Sequence, residues 1–280
     1  MPDKFNNFLI NMQKIKNSLK TLIKKHLADP MAEGLDIDDP TTVIKHRQMI
    51  EAKPLLKKIY RDWYQEYAAS IKTTQSLNGP LIEIGSGAGF SKTIYPQMIT
   101  TDITEAPYVD KVLDAQNMAY ADQSVRGFFL INVVHHFLKP ANFFKEVERT
   151  LMPGGRLVML EPYNSPFNRL LCSNMDHYEY FDIIDASWEA NDQSRMSKAN
   201  MALTWNILIR DHERFKKAFP DLEIQSIKAH TFLAYILSGG MSYKSFLPAF
   251  MSPCINFIEW LCTPLMKWLG TTMTIVIQKK

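Results

Sequence analysis

Glycines fall at every second position in Gly85-Ser86-Gly87-Ala88-Gly89, directly after the apolar run Leu81-Ile82-Glu83-Ile84. Such a loop lets backbone N–H groups face a ligand, with no Cβ to block close approach. The spacing is GxGxG, not the GxGxxG that seats a dinucleotide pyrophosphate, and no Lys-Ser/Thr pair follows to make a Walker loop. By itself the loop does not name its ligand. Further polar groups end other apolar runs: Asp102, Asp114, Asn132 and Glu161. His135 and His136 follow Asn132, Tyr163 follows Glu161, and Asp176-His177-Tyr178-Glu179 lies beyond. These side chains can accept hydrogen bonds and move protons.

The elements that must position them alternate in type. Strands are expected at 81–84, 98–103, 108–113, 127–132, 156–160, 222–229 and 271–278. Between them, a short helix should run from Phe90 to about Tyr95, where Pro96 stops it, and longer ones over 141–151 and 199–219. Alternation of this kind indicates an α/β fold with a parallel sheet, whose ligands bind beyond the carboxyl ends of the strands. One edge of the sheet then collects Glu83, Gly85, Asp102, Asp114, Asn132 and Glu161. Ahead of the first strand, Asp39 should cap a helix with Pro40 at its first position, running to about Ala52. Lys53-Pro54 interrupts it, and a second helix should continue to about Ile71. Residues 40–78 could lie over the glycine loop as a lid. The aromatic stripe Tyr60, Trp63, Tyr64 and Tyr67 suits a core better than a site.

In order and spacing, these segments resemble the class I S-adenosylmethionine-dependent methyltransferases. The loop at Gly85, Ser86, Gly87 and Gly89, with Glu83 ahead of it, is similar to their motif I. Asp102, with Ile103 after it, stands where the family's ribose-binding acid ends the second strand. Asp114-Ala115-Gln116-Asn117-Met118 resembles the adenine segment, and Asn132-Val133-Val134-His135-His136-Phe137 the segment facing the methionine end. Leu151-Met152-Pro153-Gly154-Gly155-Arg156-Leu157 matches the turn before the fifth strand. The resemblance covers about residues 80–162 and, more weakly, the last two strands. Ser124-Val125-Arg126-Gly127 lacks the family's usual acid before the fourth strand.

The resemblance implies a Rossmann-like sheet of seven mostly parallel strands with flanking helices, and S-adenosylmethionine as cofactor. Methyl transfer from an activated sulfonium asks the protein mainly to position an acceptor. A hydroxyl acceptor also needs a base. The candidates are His135, His136, His177, Asp176 and Glu179, with Glu161 and Tyr163 as acceptor contacts. The expected acceptor is a small or lipid-linked hydroxyl compound. A non-catalytic membrane adaptor on the same fold is the alternative.

Composition narrows the rest. The chain has 280 residues, 46% hydrophobic and 22% charged, with a net charge of +3, which is no footprint for nucleic acid. Cys172, Cys254 and Cys262 show no CxxC spacing, fit free thiols in a reducing compartment, and have no histidine at ligand spacing, so no metal site is expected. The expected location is cytoplasmic, with a membrane's inner face as a docking surface. Residues 1–28 read as a basic amphipathic helix, either held on an anionic membrane or packed on its own domain. Residues 79–230 and 270–280 form the expected cofactor-binding core. The segment 231–269 is an apolar helical insertion: an acceptor tunnel or membrane platform, or else a subdomain core or dimer interface. Its prolines, Glu259 and Lys267 argue against a spanning helix.

Overall fold

The computed structural model describes residues 26–36, 39–174, 179–189 and 199–280. Most of the expected N-terminal amphipathic helix, and Asp176 and His177, lie outside the described residues. Seven strands form one sheet: β1 (Leu81–Ile84), β2 (Ile99–Asp102), β3 (Lys111–Val112), β4 (Val125–Ile131), β5 (Leu151–Pro162), β6 (Leu222–His230) and β7 (Thr272–Lys279). Their order is β3-β2-β1-β4-β5-β7-β6, and β7 alone runs antiparallel to its neighbours. The expected Rossmann-like sheet is present.

Successive residues of β4 feed opposite layers, because side chains alternate along a strand. Phe128 belongs to one core cluster with Phe143, Phe144 and Val147 of α3 (Pro140–Thr150) and Phe215 of α5 (His212–Ala218). Phe129 belongs to the other, with Leu56, Ile59, Trp63 and Tyr67 of α2 (Pro54–Ile71). Tyr67 lies 4.3 Å from Phe129 between ring centroids. Burying each such side chain stabilises the fold by about 1.5–3 kcal/mol. The aromatic stripe of α2 is therefore core, as its composition indicated.

The expected lid divides into two parts. α2 lies on the sheet, while α1 (Thr42–Ala52) reaches the glycine loop: Arg47 Nη1 donates to the carbonyls of Ala88 and Gly89 at 3.2 and 3.1 Å. α1 also starts later than Asp39-Pro40 implied. Asp39 accepts from the N–H and hydroxyl of Thr41, forming a turn ahead of the helix. Residues 199–219 do not form one helix. Leu203–Trp205 leads into a π-helical stretch, Asn206–Arg210, before α5. The Asn206 amide donates to the Asp182 carbonyl, and the Asp211 N–H bonds back to the Asn206 carbonyl, widening that turn.

The other helices are α4 (Pro166–Asn174) and α6 (Ser252–Leu261), the latter in the apolar insertion. Glu259 of α6 accepts the N–H groups of Phe232, Leu233 and Ala234, each at 2.8 Å. This carboxylate caps the one-turn helix Ala234–Leu237 and ties α6 to the domain. Among the described residues no helix is long and apolar enough to cross a membrane.

Candidate active site

The chain runs β1, β2, β3 outward and then returns to place β4 on the other side of β1. That reversal opens a crevice at the carboxyl ends of β1 and β4. The glycine loop fills its near side. Gly85 has φ +65°, and a Cβ there would meet Val133 at 2.6 Å, so this glycine is required by the protein's own packing. Gly87 differs. Its φ is +46°, and a Cβ would meet nothing nearer than the Gly85 carbonyl at 4.0 Å, which leaves its face open to a ligand. Gly89 takes the αL conformation beside Tyr108.

Ser86 is used inside the loop. Its hydroxyl accepts from the Thr101 N–H at 2.9 Å and donates to the Glu83 carbonyl. Glu83 is also turned inward. The hydroxyls of Tyr64 and Ser91 donate to it at 2.6 and 2.5 Å, joining α2 to the loop. Burial pushes its carboxyl up to about 7, against the hydrogen bonds from Ser91 and Tyr64.

The groups facing the crevice are others. Asp102 Oδ2 lies 3.4 Å from the Gly87 N–H, and Oδ1 accepts from the Ile103 N–H at 2.8 Å. Burial raises the Asp102 carboxyl, and N–H groups of Ile103, Gly87 and Thr104 pull it back. A carboxylate held there can still accept from a diol. Ile103 is exposed beside it. Asp114 is exposed and accepts from the Gln116 N–H, whereas Ala115 and Met118 are buried in the core beneath α3. Asn132, at the end of β4, has φ +54°, and its buried Oδ1 finds no hydrogen-bond donor among the described residues. An unpartnered buried acceptor costs about 1–3 kcal/mol. An ammonium group of a ligand would satisfy it. The open face of Gly87, the acid at Asp102 and the orphaned acceptor at Asn132 thus fit the groups of S-adenosylmethionine.

A second cluster lies beyond β4 and β5. Glu161 is fully buried. Its Oε1 accepts the N–H groups of Val133 and Val134 at 2.9 and 2.8 Å; Oε2 is 2.6 Å from His135 Nδ1 and accepts from the Thr204 hydroxyl at 3.1 Å. Four partners satisfy this carboxylate, so the expected acceptor contact is instead the anchor of the turn Val134–His136. Burial alone would lower the basicity of His135, but Glu161 and Glu179 outweigh it and push the ring up to about 10. Glu161 is correspondingly held below the ordinary carboxylate range, the His135 charge overcoming burial. Glu179 Oε1 sits 3.3 Å from His135 Nε2 and 3.5 Å from His136 Nε2. The ring of Tyr163 packs half-buried against the core on the α3 side.

The structure therefore brings His135, His136 and Glu179 together and gathers Gly87, Asp102 and Asn132 at the crevice. It turns Glu83 and Ser86 into internal braces and buries Ala115. Two residues near the loop were not anticipated. Arg47 lies over the Tyr108 ring, 4.8 Å from its centroid, and Tyr108 itself has φ +74°. Nothing local in either sequence segment marks this pairing.

Residues 82–159 match a family model described as a methyltransferase domain. This chain carries a methyltransferase domain. The match takes in the glycine loop, Asp102, Asp114, Asn132, His135 and His136, while Glu161, Tyr163, Glu179 and the apolar insertion fall outside it. No curated protein sequence matches the chain. Among solved structures, the chain is similar to geranyl diphosphate C-methyltransferase from Streptomyces coelicolor A3(2), at 12% identity, 90% of this chain and 89% of that one, with a TM-score of 0.47. It is also similar to a methyltransferase from Thermotoga maritima described as a possible histamine N-methyltransferase, at 18% identity, 83% and 99% coverage, and a TM-score of 0.45. A third is an S-adenosylmethionine-dependent methyltransferase from Archaeoglobus fulgidus, at 13% identity, 79% and 94% coverage, and a TM-score of 0.47.

Proposed function

We propose that the protein is an S-adenosylmethionine-dependent methyltransferase that methylates a hydroxyl group of an apolar, small or lipid-linked acceptor at a membrane surface. The observation that carries this reading is Asn132, whose buried Oδ1 has no donor among the described residues, at the strand-order reversal and in the same crevice as Asp102 and the open face of Gly87. When bound there, S-adenosylmethionine supplies a methyl group already activated on a sulfonium sulfur. Asn132 would take its ammonium group, Asp102 its ribose hydroxyls, and Ile103 would cover its base.

The protein's remaining task is to place the acceptor and draw off its proton. His135 is a poor base because Glu161 and Glu179 hold its proton. Glu179 and His136 lie on the more open side of that cluster, which supports them as the groups acting on the hydroxyl. Burial and, after it, the charge of Glu179 raise the Tyr235 hydroxyl, which supports the insertion as a wall of the acceptor side. The lipid reading is supported by α6 and its flank, where Phe250, Phe257, Trp260 and Leu261 are 80%, 58%, 67% and 55% exposed.

Calorimetry with S-adenosylmethionine and S-adenosylhomocysteine tests the donor half. One site per chain is expected, weakened about tenfold or more in Asn132→Ala and in Asp102→Ala. Absence of binding in the wild type would remove the enzyme reading. Methyl-labelled donor incubated with a membrane lipid extract tests the acceptor half. Label that partitions into organic solvent and resists mild alkali marks an ether; label confined to the water phase would count against a lipid-linked acceptor.

A further inference from the structure

We propose that His135, His136 and Glu179 bind one divalent first-row transition ion, zinc foremost, with Glu161 as the positioning residue. Among the described residues these three form the one group of His, Cys, Asp or Glu side chains whose ligand atoms all lie within 4.8 Å of one another.

Their spacing suits ligation of one ion. A tetrahedral ion with bonds of about 2.0–2.1 Å holds its ligand atoms roughly 3.3 Å apart. The Glu179 oxygen lies 3.3 Å from one ring nitrogen and 3.5 Å from the other. The same cluster contains a shorter hydrogen bond, His135 Nδ1 to Glu161 at 2.6 Å. Both imidazoles turn Nε2 toward one carboxylate oxygen, so an ion bound among them would take the place of the proton that His135 shares with Glu179.

The support behind the first ligand is already in place. A metal-binding histidine commonly donates its other ring N–H to a carboxylate, which fixes the tautomer and aims the ligating nitrogen. Glu161 does this for His135, and it also holds the turn through the N–H groups of Val133 and Val134. The orientation is thus built by β5 and the end of β4, with no contribution from an ion. Two imidazoles and a carboxylate favour zinc, iron or nickel over magnesium or calcium, which prefer oxygen ligands. Three protein ligands leave a position for water or an acceptor oxygen; with the ion bound, Glu179 and His136 would serve as its ligands, and the ion in their place would lower the pKa of the oxygen it binds. That last role rests on the hydroxyl-acceptor reading; binding of the ion does not.

The test uses the full-length protein freed of metal with a chelator. Cobalt(II) is added while visible absorption is followed, and zinc chloride is titrated in a calorimeter. One ion per chain is expected, with cobalt bands of a four- or five-coordinate site that zinc abolishes. Glu179→Gln and His136→Ala should each weaken zinc by at least tenfold, and Glu161→Gln by about 10–100-fold, with S-adenosylhomocysteine binding retained in all three. Wild-type protein without bands or heat, sulfur-to-cobalt charge-transfer bands, or unchanged zinc affinity in both ligand variants would each overturn the proposal. The wild-type cobalt spectrum decides the matter even where a variant does not fold. Loss of donor binding would instead strike the methyltransferase reading, so the two failures are distinguishable.

Discussion

Two buried carboxylates brace the site, and their partners set opposite pH behaviour. Glu83 has only neutral hydroxyl donors on its side chain, and burial lifts it from 4.5 to about 7. A carboxyl raised in the folded state contributes stability below its unfolded value, and that contribution is lost as pH rises through the folded value. The loss over this window is about 3 kcal/mol. Glu83→Gln keeps the shape and can still pair with Tyr64 and Ser91. Urea unfolding at pH 5 and pH 8 should therefore show wild type losing more stability than the variant. A pH-independent difference between the two would contradict this account. Glu161 is different, being paired with His135 and with two backbone N–H groups. Glu161→Ala should destabilise by about 3–5 kcal/mol, read by the same unfolding experiment, because it leaves the buried imidazolium with Glu179 as its remaining acid and strips the Val133 and Val134 N–H groups of their acceptor. The sequence showed both acids at strand ends, but not these roles. Tyr64, Ser91 and Thr204 come from separate elements, and only the folded chain shows that each acid is saturated. Glycine spacing was legible because φ above zero restricts the residue type locally.

At the scale of elements, apolar runs marked the central strands β1, β4, β5 and β7 most strongly, since burial on both faces of a sheet leaves a strong local pattern, whereas β3 is exposed at both residues and β6 over much of its length. Where a remote side chain sets the backbone, the pattern was silent. The stretch 199–219 carries helical periodicity, yet Asn206 reaches Asp182 and the helix widens there. The lid was legible as two helices, but not which of them meets the loop. Arg47 supplies that contact through two loop carbonyls and the Tyr108 ring. Arg47→Ala removes all three and leaves α2 packed on the sheet. Donor affinity should fall about fivefold to twentyfold, on the scale of one or two lost charge-assisted hydrogen bonds. The midpoint of thermal unfolding should move by only a few degrees. Calorimetry and a melting curve together check this; a large fall in melting temperature with intact affinity would mean that Arg47 serves the fold and not the crevice.

Across the whole molecule, the donor crevice and the apolar insertion are built from different parts of the chain. The matched domain contains the crevice, and residues outside it supply α6 and Tyr235. α6 keeps Ile255 buried and is fastened through Glu259, so its orientation does not depend on the outward side chains. Those outward residues, Phe257, Trp260 and Leu261, sit at i, i+3, i+4 spacing, and Phe257 stacks on Trp260 at 5.8 Å. Nearby, Lys267 lies over the ring of Trp268 at 3.9 Å. Tryptophan beside lysine at the rim of an apolar face suits a headgroup boundary, with the aromatic body in the acyl region and the charge in water. The lysines of residues 1–28 would add attraction to anionic lipid. A Phe257→Ser/Trp260→Ser double variant removes the two exposed aromatic side chains of α6 while leaving Ile255 and Glu259 in place. Wild type should float with vesicles containing anionic lipid, and the variant's partition coefficient should fall at least tenfold, since burying one aromatic side chain contributes about 1.5–3 kcal/mol. High salt should weaken the wild type only in part, because the apolar term is not screened. Equal flotation of both proteins would exclude α6 as the docking face. Sedimentation separates the remaining case: a wild-type dimer that the double variant converts to monomer would assign the face to a second copy of the chain instead of lipid.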